Sequence, residues 1–584
     1  MTARFQQIFF WVALLMGTLS GMGGLSSNAT LAQEPHELLP AETVLYLRAD
    51  GINNHLKAFK ETAAYQAIYE SGLAAFISES VAAMSSQSPS SELNMTLDHL
   101  NDFGFFLSIA VDPPTPGPLG LWGTIVVPNA GEGVDILAGL LTSIDPEKFE
   151  VLSTRVQGRD IKFVKLPNAQ VDLGWWQEGE HLVITFGMNA IASEIAVATG
   201  KRKNLLEHRL FDVYAEPETE FELTTVLWFD FQSLSEAFAD VPLPINPDQD
   251  PVPFKQIVEI LGLETFDHLA VLSGFRDSAL WSEVVIAAPG ERKGLMSLLD
   301  QPTFTFEDLP AIPLNQVGIV VKSFDWGPAY STLSTIAREL AALKSDEDVA
   351  RIDSTLQTFE DDFGFRPEDL FNSLGSLNCL YTDLGQGSHW LGSVAVVSLN
   401  DPKVFADCVD KLLARLQKEA GMRDEDALRI VKKIGEDETQ FRIELPKFPI
   451  LNPTLTIRED FLIFGAIPQA TRAQALRMSG DLYSWSFETD LADALELLPK
   501  EMTSVVISDP TQTYRELLGW MPMLVGFFEL GLREQGQLGP ESSLPIKSEN
   551  FPPAELITEP LFLNVTISTV DEEGLKAYSR ISLP

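Results

Sequence analysis

The 584-residue chain carries 83 acidic against 41 basic residues, a formal charge of −42. Such a surface repels nucleic acid and anionic headgroups, so no nucleic-acid partner is expected; a solvated acidic exterior is the favoured reading of the charge, with loose divalent-cation association as the alternative. Hydrophobic residues make up 45% and cysteines number two, so the cores must be held by burial and not by disulfides.

The chain opens with Arg4, an apolar run over 8–16 and then small residues ending in Thr30-Leu31-Ala32 before Gln33. Positive, then apolar, then small is the order a secretory leader presents to a translocon. Residues 1–32 are therefore expected to be a signal peptide, and the remainder an exported protein, periplasmic or extracellular. An uncleaved anchor is the competing reading. The run is short for a span and is broken by Gly17, Gly21, Gly23 and Gly24, which favours cleavage.

Past the leader, the chain matches itself. Ile161-Lys162-Phe163-Val164-Lys165-Leu166-Pro167 answers to Phe441-Arg442-Ile443-Glu444-Leu445-Pro446. His181-Leu182-Val183-Ile184-Thr185-Phe186-Gly187 answers to Asp460-Phe461-Leu462-Ile463-Phe464-Gly465, and small-residue helices follow over 189–199 and 468–478. Thr224-Thr225-Val226-Leu227-Trp228-Phe229-Asp230 answers to Thr503-Ser504-Val505-Val506-Ile507-Ser508-Asp509. The expected organisation is two homologous tandem halves, 40–310 and 311–584.

A smaller unit recurs within each half. It opens with a strand ending near Asp50, Asp230, Asp325 or Asp509, continues through a helical stretch and closes with a hairpin. The second hairpin strand is expected to start at Trp122, Trp281, Trp390 or, in the last copy, Phe562. These eight residues are the structural repeat positions. The aspartates suit helix caps, and the aromatics suit equivalent buried packing positions.

Further along, Asp401 can cap a helix that has Pro402 in its first turn, and Val404, Phe405, Cys408, Val409, Leu412, Leu413 and Leu416 recur on it at helical spacing. Cys379 lies in a strand, and both cysteines are expected in one core, as free thiols with a bridge as the alternative. The stretch 517–532 is apolar but carries Pro522, Glu529 and three glycines, and falls short of a bilayer's thickness; it reads as a buried helix, leaving no transmembrane span after leader removal. Proline-rich linkers are expected at 113–118, 242–253 and 535–553. Long antiparallel β-meanders with packed helices make the fold class α+β.

Chemistry is poorly marked. His36, His55, His99, His181, His208, His268 and His389 never pair at metal-ligand spacing, so no metal and no cofactor is expected. His99 and His268 look like repeat equivalents serving as structural polar positions. No Gly-x-Ser-x-Gly elbow occurs past the leader. Acidic clusters at Glu360-Asp361-Asp362, Asp424-Glu425-Asp426, Glu436-Asp437-Glu438 and Asp571-Glu572-Glu573 lack the spaced calcium-loop pattern. Catalytic residues are unknown.

The start Leu39-Pro40-Ala41-Glu42-Thr43-Val44-Leu45-Tyr46, with Ala58-Phe59-Lys60-Glu61-Thr62 after it, resembles an uncharacterised family of bacterial exported proteins, a domain of unknown function whose mature chains begin with such a motif. The resemblance implies export and supplies no catalytic residues. The expected function is a non-catalytic binding or envelope-associated protein. A hydrolase using clustered carboxylates, or a periplasmic carrier of an apolar ligand, is the alternative.

Overall fold

The computed structural model describes residues 34–84, 99–112, 120–144, 150–165, 172–245, 251–314, 316–387, 389–423, 428–448, 450–485, 491–534 and 551–582. The expected leader, the expected linker at 113–118, the Asp424-Glu425-Asp426 cluster, most of the expected linker at 535–553 and the side chain of Trp390 lie outside the described residues. The chain forms two units. One holds residues up to 239 with 268–284 and 517–560; the other holds 240–267, 285–516 and 561–584.

The first unit contains β1 (Thr43–Ala49), β2 (Phe105–Asp112), β3 (Gly120–Val127), β4 (Val151–Val156), β5 (Arg159–Lys165), β6 (Asp172–Glu178), β7 (His181–Gly187) and β8 (Glu222–Asp230). A two-residue ladder, β9 (Pro242–Leu243) with β10 (Val252–Pro253), belongs to the second unit; β11 (His268–Arg276) returns to the first, and β12 (Ala279–Ala287) follows it across a tight turn. All pairings are antiparallel, in the order β11–β8–β1–β2–β3–β7–β6–β5–β4. β4 joins β5, and β6 joins β7, through short turns. Gln157 and Gly158 between β4 and β5 both take left-handed φ, 49° and 88°, the conformation that matches a two-residue turn to strand twist.

The sheet is covered on both faces. The helix Val134–Ile144 sits on one, over a cluster that includes Leu107, Ile125, Trp175, Leu182 and Ile184. The helix Ala190–Ala198 and the turn Pro35–Leu38 sit on the other, where Ala190 and Val197 meet Ala110 and Trp122. This is why β7 is buried at nearly every position and does not alternate. Gly187 ends it at φ 130°, and a Cβ there would lie 2.6 Å from the Leu121 carbonyl oxygen, so no other residue fits.

The second unit contains β13 (Gln316–Ser323), β14 (Leu374–Asp383), β15 (Ser393–Leu399), β16 (Arg429–Ile434), β17 (Glu438–Glu444), β18 (Thr454–Arg458), β19 (Phe461–Gly465), β20 (Ser504–Ser508), β21 (Asn564–Asp571) and β22 (Gly574–Ile581). Its order is β22–β21–β20–β13–β14–β15–β19–β18–β17–β16, again antiparallel throughout. From β11 or β21 onward the two orders are the same. The self-matching segments of the sequence fall on β5 and β17, β7 and β19, and β8 and β20, at the same places in the two orders.

The helix Pro402–Arg423 packs Phe405, Val409 and Leu413 onto Phe441, Ile457 and Leu462, with Val397 beside them. Asp401 caps it, accepting from the amides of Lys403 and Val404 at 3.1 and 3.0 Å. The opposite face lies under the helix Pro468–Met478, whose Gln474 accepts from the Tyr381 hydroxyl at 2.6 Å.

This division corrects the expectation of one core for both cysteines. Cys379 is in register with Val396, whose successor Val397 faces the Pro402–Arg423 helix. Strand alternation therefore turns Cys379 to the other face, while Cys408 sits on that helix. Both are buried and unbonded.

Candidate functional site

The strand-end aspartates do not gather within either unit. The register Leu45↔Phe229 and Ala49↔Thr225 puts Asp50 and Asp230 at opposite ends of the β1–β8 pair. Gly318↔Ser508 and Lys322↔Ser504 do the same for Asp325 and Asp509. Each has a local task. Asp230 is fully buried and caps the helix Phe231–Phe238 through the Ser233 amide at 2.9 Å, while taking two bonds from Arg209 at 2.9 and 2.5 Å. Burial alone would raise its pKa; bonds from His208, Arg209 and Ser233 outweigh that and hold it well below the ordinary carboxylate value. Asp509 accepts from the Thr511 and Gln512 amides at 2.9 and 3.4 Å, a cap for the helix Pro510–Glu534. Asp325 occupies the N-cap position of the helix Trp326–Ala342 without a side-chain cap bond. Asp50 turns to Arg48 at 3.3 Å and His55 at 3.6 Å instead of capping.

The aromatics divide similarly. Trp122 in β3 and Trp281 in β12 are 1% and 6% exposed, with Arg202 and Arg276 over their rings at 5.8 and 5.9 Å. Trp390 lies in the turn His389–Gly392 ahead of β15. Phe562 is half-buried under Arg580, 4.0 Å away, and precedes β21, the first strand of its hairpin. It is thus one strand removed from the place Trp122 and Trp281 hold, because an aromatic before a β-branched run does not say which hairpin strand that run becomes.

Four of the histidines, His36, His99, His208 and His268, are buried or half-buried in packing. His99 meets the Pro128 carbonyl at 2.7 Å and His268 the Tyr214 hydroxyl at 2.7 Å. His208 stacks on Trp228 at 4.5 Å, and Trp228 on Tyr46 at 5.4 Å. His36 sits edge-on to Phe106 and Phe211, and burial, then Arg48, lowers its pKa to about 4.

Sequence reasoning missed a buried polar row. Trp228, Tyr46, Ser108, Thr124 and Thr185 lie directly opposite one another across β8, β1, β2, β3 and β7, and all are buried. Over them, Glu194 of the Ala190–Ala198 helix accepts from the Thr124 hydroxyl at 2.7 Å. Complete burial pushes its pKa up to about 8, against a smaller lowering by that bond, so the carboxyl is neutral at pH 7. Among the described residues, the second carboxyl oxygen and the Ser108 and Thr185 hydroxyls have no partner. A neutral acid of this kind can donate a proton, and none of its surface meets solvent.

Two open depressions belong to the second unit. One, of about 850 Å³, is edged by Asp300, Asp325, Asp571, Glu572 and Glu573. Its Arg292 is occupied by Asp300 and by the carbonyls of Ala288 and Asp571, and Asp571 is spent on the amides of Glu573 and Gly574. The other, of about 300 Å³, lies among the helices Trp326–Ala342, Asp346–Phe363 and Pro367–Ser373, where Arg338 already pairs with Asp353 at 3.0 Å. Among the described residues no group of His, Cys, Asp or Glu is placed to hold a metal ion.

The feature left unexplained by packing is the helix Pro510–Glu534. Instead of being buried, as its apolar sequence suggests, it has Leu517, Trp520, Met523, Leu524, Phe527 and Leu530 between 42% and 62% exposed. At 3.6 residues per turn these six fill one arc of about 140°. Leu518, Met521, Val525 and Glu529 form the half-buried stripe on the other side. No charged residue interrupts the run between Glu516 and Glu529. The signal in the sequence was the missing polar stripe: the uncharged run leaves no polar side for the helix to turn to solvent.

Comparison with family models, with curated proteins and with solved structures finds no match.

Proposed function

We propose that the chain is an exported, non-catalytic, envelope-associated binding protein built from two homologous tandem halves, with the apolar arc of 517–530 as its binding surface. The observation that carries this reading is that arc: six large apolar side chains exposed together on one helix. Single exposed apolar residues are ordinary, but contiguous ones mark a surface that meets a partner. Export is supported by the leader-like order of 1–32 and by the Leu39-Pro40-Ala41-Glu42-Thr43 start that follows it. Homology of the halves is supported by the shared strand order and by sequence matches that fall on corresponding strands.

Expression of the full chain in an exporting cell tests the reading. The mature product should begin at Gln33 and fractionate with the envelope. The double variant Leu524→Glu/Phe527→Glu should shift it to the soluble fraction. A cytoplasmic product retaining Met1, or identical fractionation of both forms, would count against it.

A further inference from the structure

We propose that the occupant of the apolar arc is a lipid bilayer interface, with the helix lying flat in a neutral, zwitterionic headgroup layer; this rests on the binding-surface reading above. Length comes first. The uncharged run between Glu516 and Glu529 is twelve residues, about 18 Å of helix, against roughly 30 Å of hydrocarbon. Among the described residues no helix is long and apolar enough to cross a membrane. The run is suited to lie along the boundary.

Its chemistry agrees. Trp520 sits in the exposed arc, and an indole prefers the headgroup boundary, where its ring is sheltered and its N–H can bond. Arg515 and Glu516 precede the run, and Glu529, Arg533 and Glu534 follow it, so charge is confined to the two ends.

Charge then selects the lipid. The arc itself offers no basic side chain, and the chain's net charge is −42. Attraction to anionic lipid is thereby absent, and repulsion from it is built in. Binding must come from apolar burial, so salt should not weaken it.

Flotation of the full mature chain with phosphatidylcholine vesicles tests this. The protein should float with them equally at 0.05 and about 0.5 M salt, and replacing a third of the lipid with phosphatidylglycerol should weaken binding several-fold at low salt. Leu524→Glu/Phe527→Glu should lower binding at least tenfold. Because both side chains are exposed, the thermal unfolding of that variant should match the parent. Ile434→Glu, at an exposed apolar position on β16, should float like the parent. Failure of the parent to float on phosphatidylcholine overturns the proposal, as does equal flotation of the double variant. If the parent does not float but self-associates in sedimentation velocity, and the double variant does not, the lipid is wrong and the binding surface stands. If neither assay separates parent from variant, both readings fall.

Discussion

At Glu194 the local physics runs against the charged form. The folded protein holds the proton to about pH 8, whereas an unfolded chain releases it near 4.5. Between those values the native state binds more protons than the unfolded one, so stability is fully present below the lower value and falls as pH rises through the window. At about 1.4 kcal/mol per unit this amounts to ~3 kcal/mol by pH 7. The second unit carries an amide at the matching place: Gln474 lies four residues before the end of its helix, as Glu194 does, and is fully buried with both amide atoms bonded. Glu194→Gln should therefore stabilise the protein at pH 7 by one to three kcal/mol, on the order of the ionisation cost it removes, and flatten the pH dependence of urea unfolding between 4.5 and 8. Unchanged pH dependence would mean that Glu194 is already ionised in the native state. Asp230 behaves in the opposite sense. Its depressed pKa adds stability above the ordinary carboxylate range, and that stability is lost as pH falls through and below it.

Elements fix what residues can reach. Cys379 in β14 and Cys408 on the Pro402–Arg423 helix serve opposite faces of one sheet, so the sheet itself separates their sulfurs. Burial also pushes the Cys379 thiol up to about 12, which leaves almost no thiolate at neutral pH. Iodoacetamide should label neither cysteine in the native protein and both in denaturant, with no disulfide in the non-reduced peptide map; a Cys379–Cys408 peptide would refute the face assignment. The close of β7 is equally determined. Gly187→Ala would force a Cβ to within 2.6 Å of the Leu121 oxygen and of the Trp122 Cα, at a left-handed φ. A loss of about 2–4 kcal/mol in chemical unfolding is expected, from strain and displaced packing together.

For the whole molecule, charge governs the behaviour of everything outside the cores. A net −42 works against a compact native state through self-repulsion, which salt screens over about 10 Å at 0.1 M. Its melting temperature should therefore rise by a few degrees between 0.01 and about 0.3 M sodium chloride, read by calorimetry or far-UV dichroism. A fall in melting temperature with salt would mean that the local pairs, such as Arg477 with Asp383, outweigh the general repulsion.

What the sequence determined by itself is what depends on neighbours in the chain. The small-residue helices after β7 and β19, the cap at Asp401, the alternating strands and the self-matching segments were all legible, because period, turn chemistry and capping act within a few residues. The α+β class follows from them. The tertiary structure decided which surfaces those elements cover. Only the cross-strand register aligns Ser108, Thr124 and Thr185 into one buried row under Glu194, a residue that in sequence is one carboxylate among 83. Register likewise sends Asp50 and Asp230 to opposite ends of a strand pair, and Cys379 and Cys408 to opposite faces of a sheet. For 517–530 the composition announced an apolar helix but not its surroundings. Burial is a relation between elements distant in the chain, and among the described residues one side of this helix is half-buried and the other is exposed.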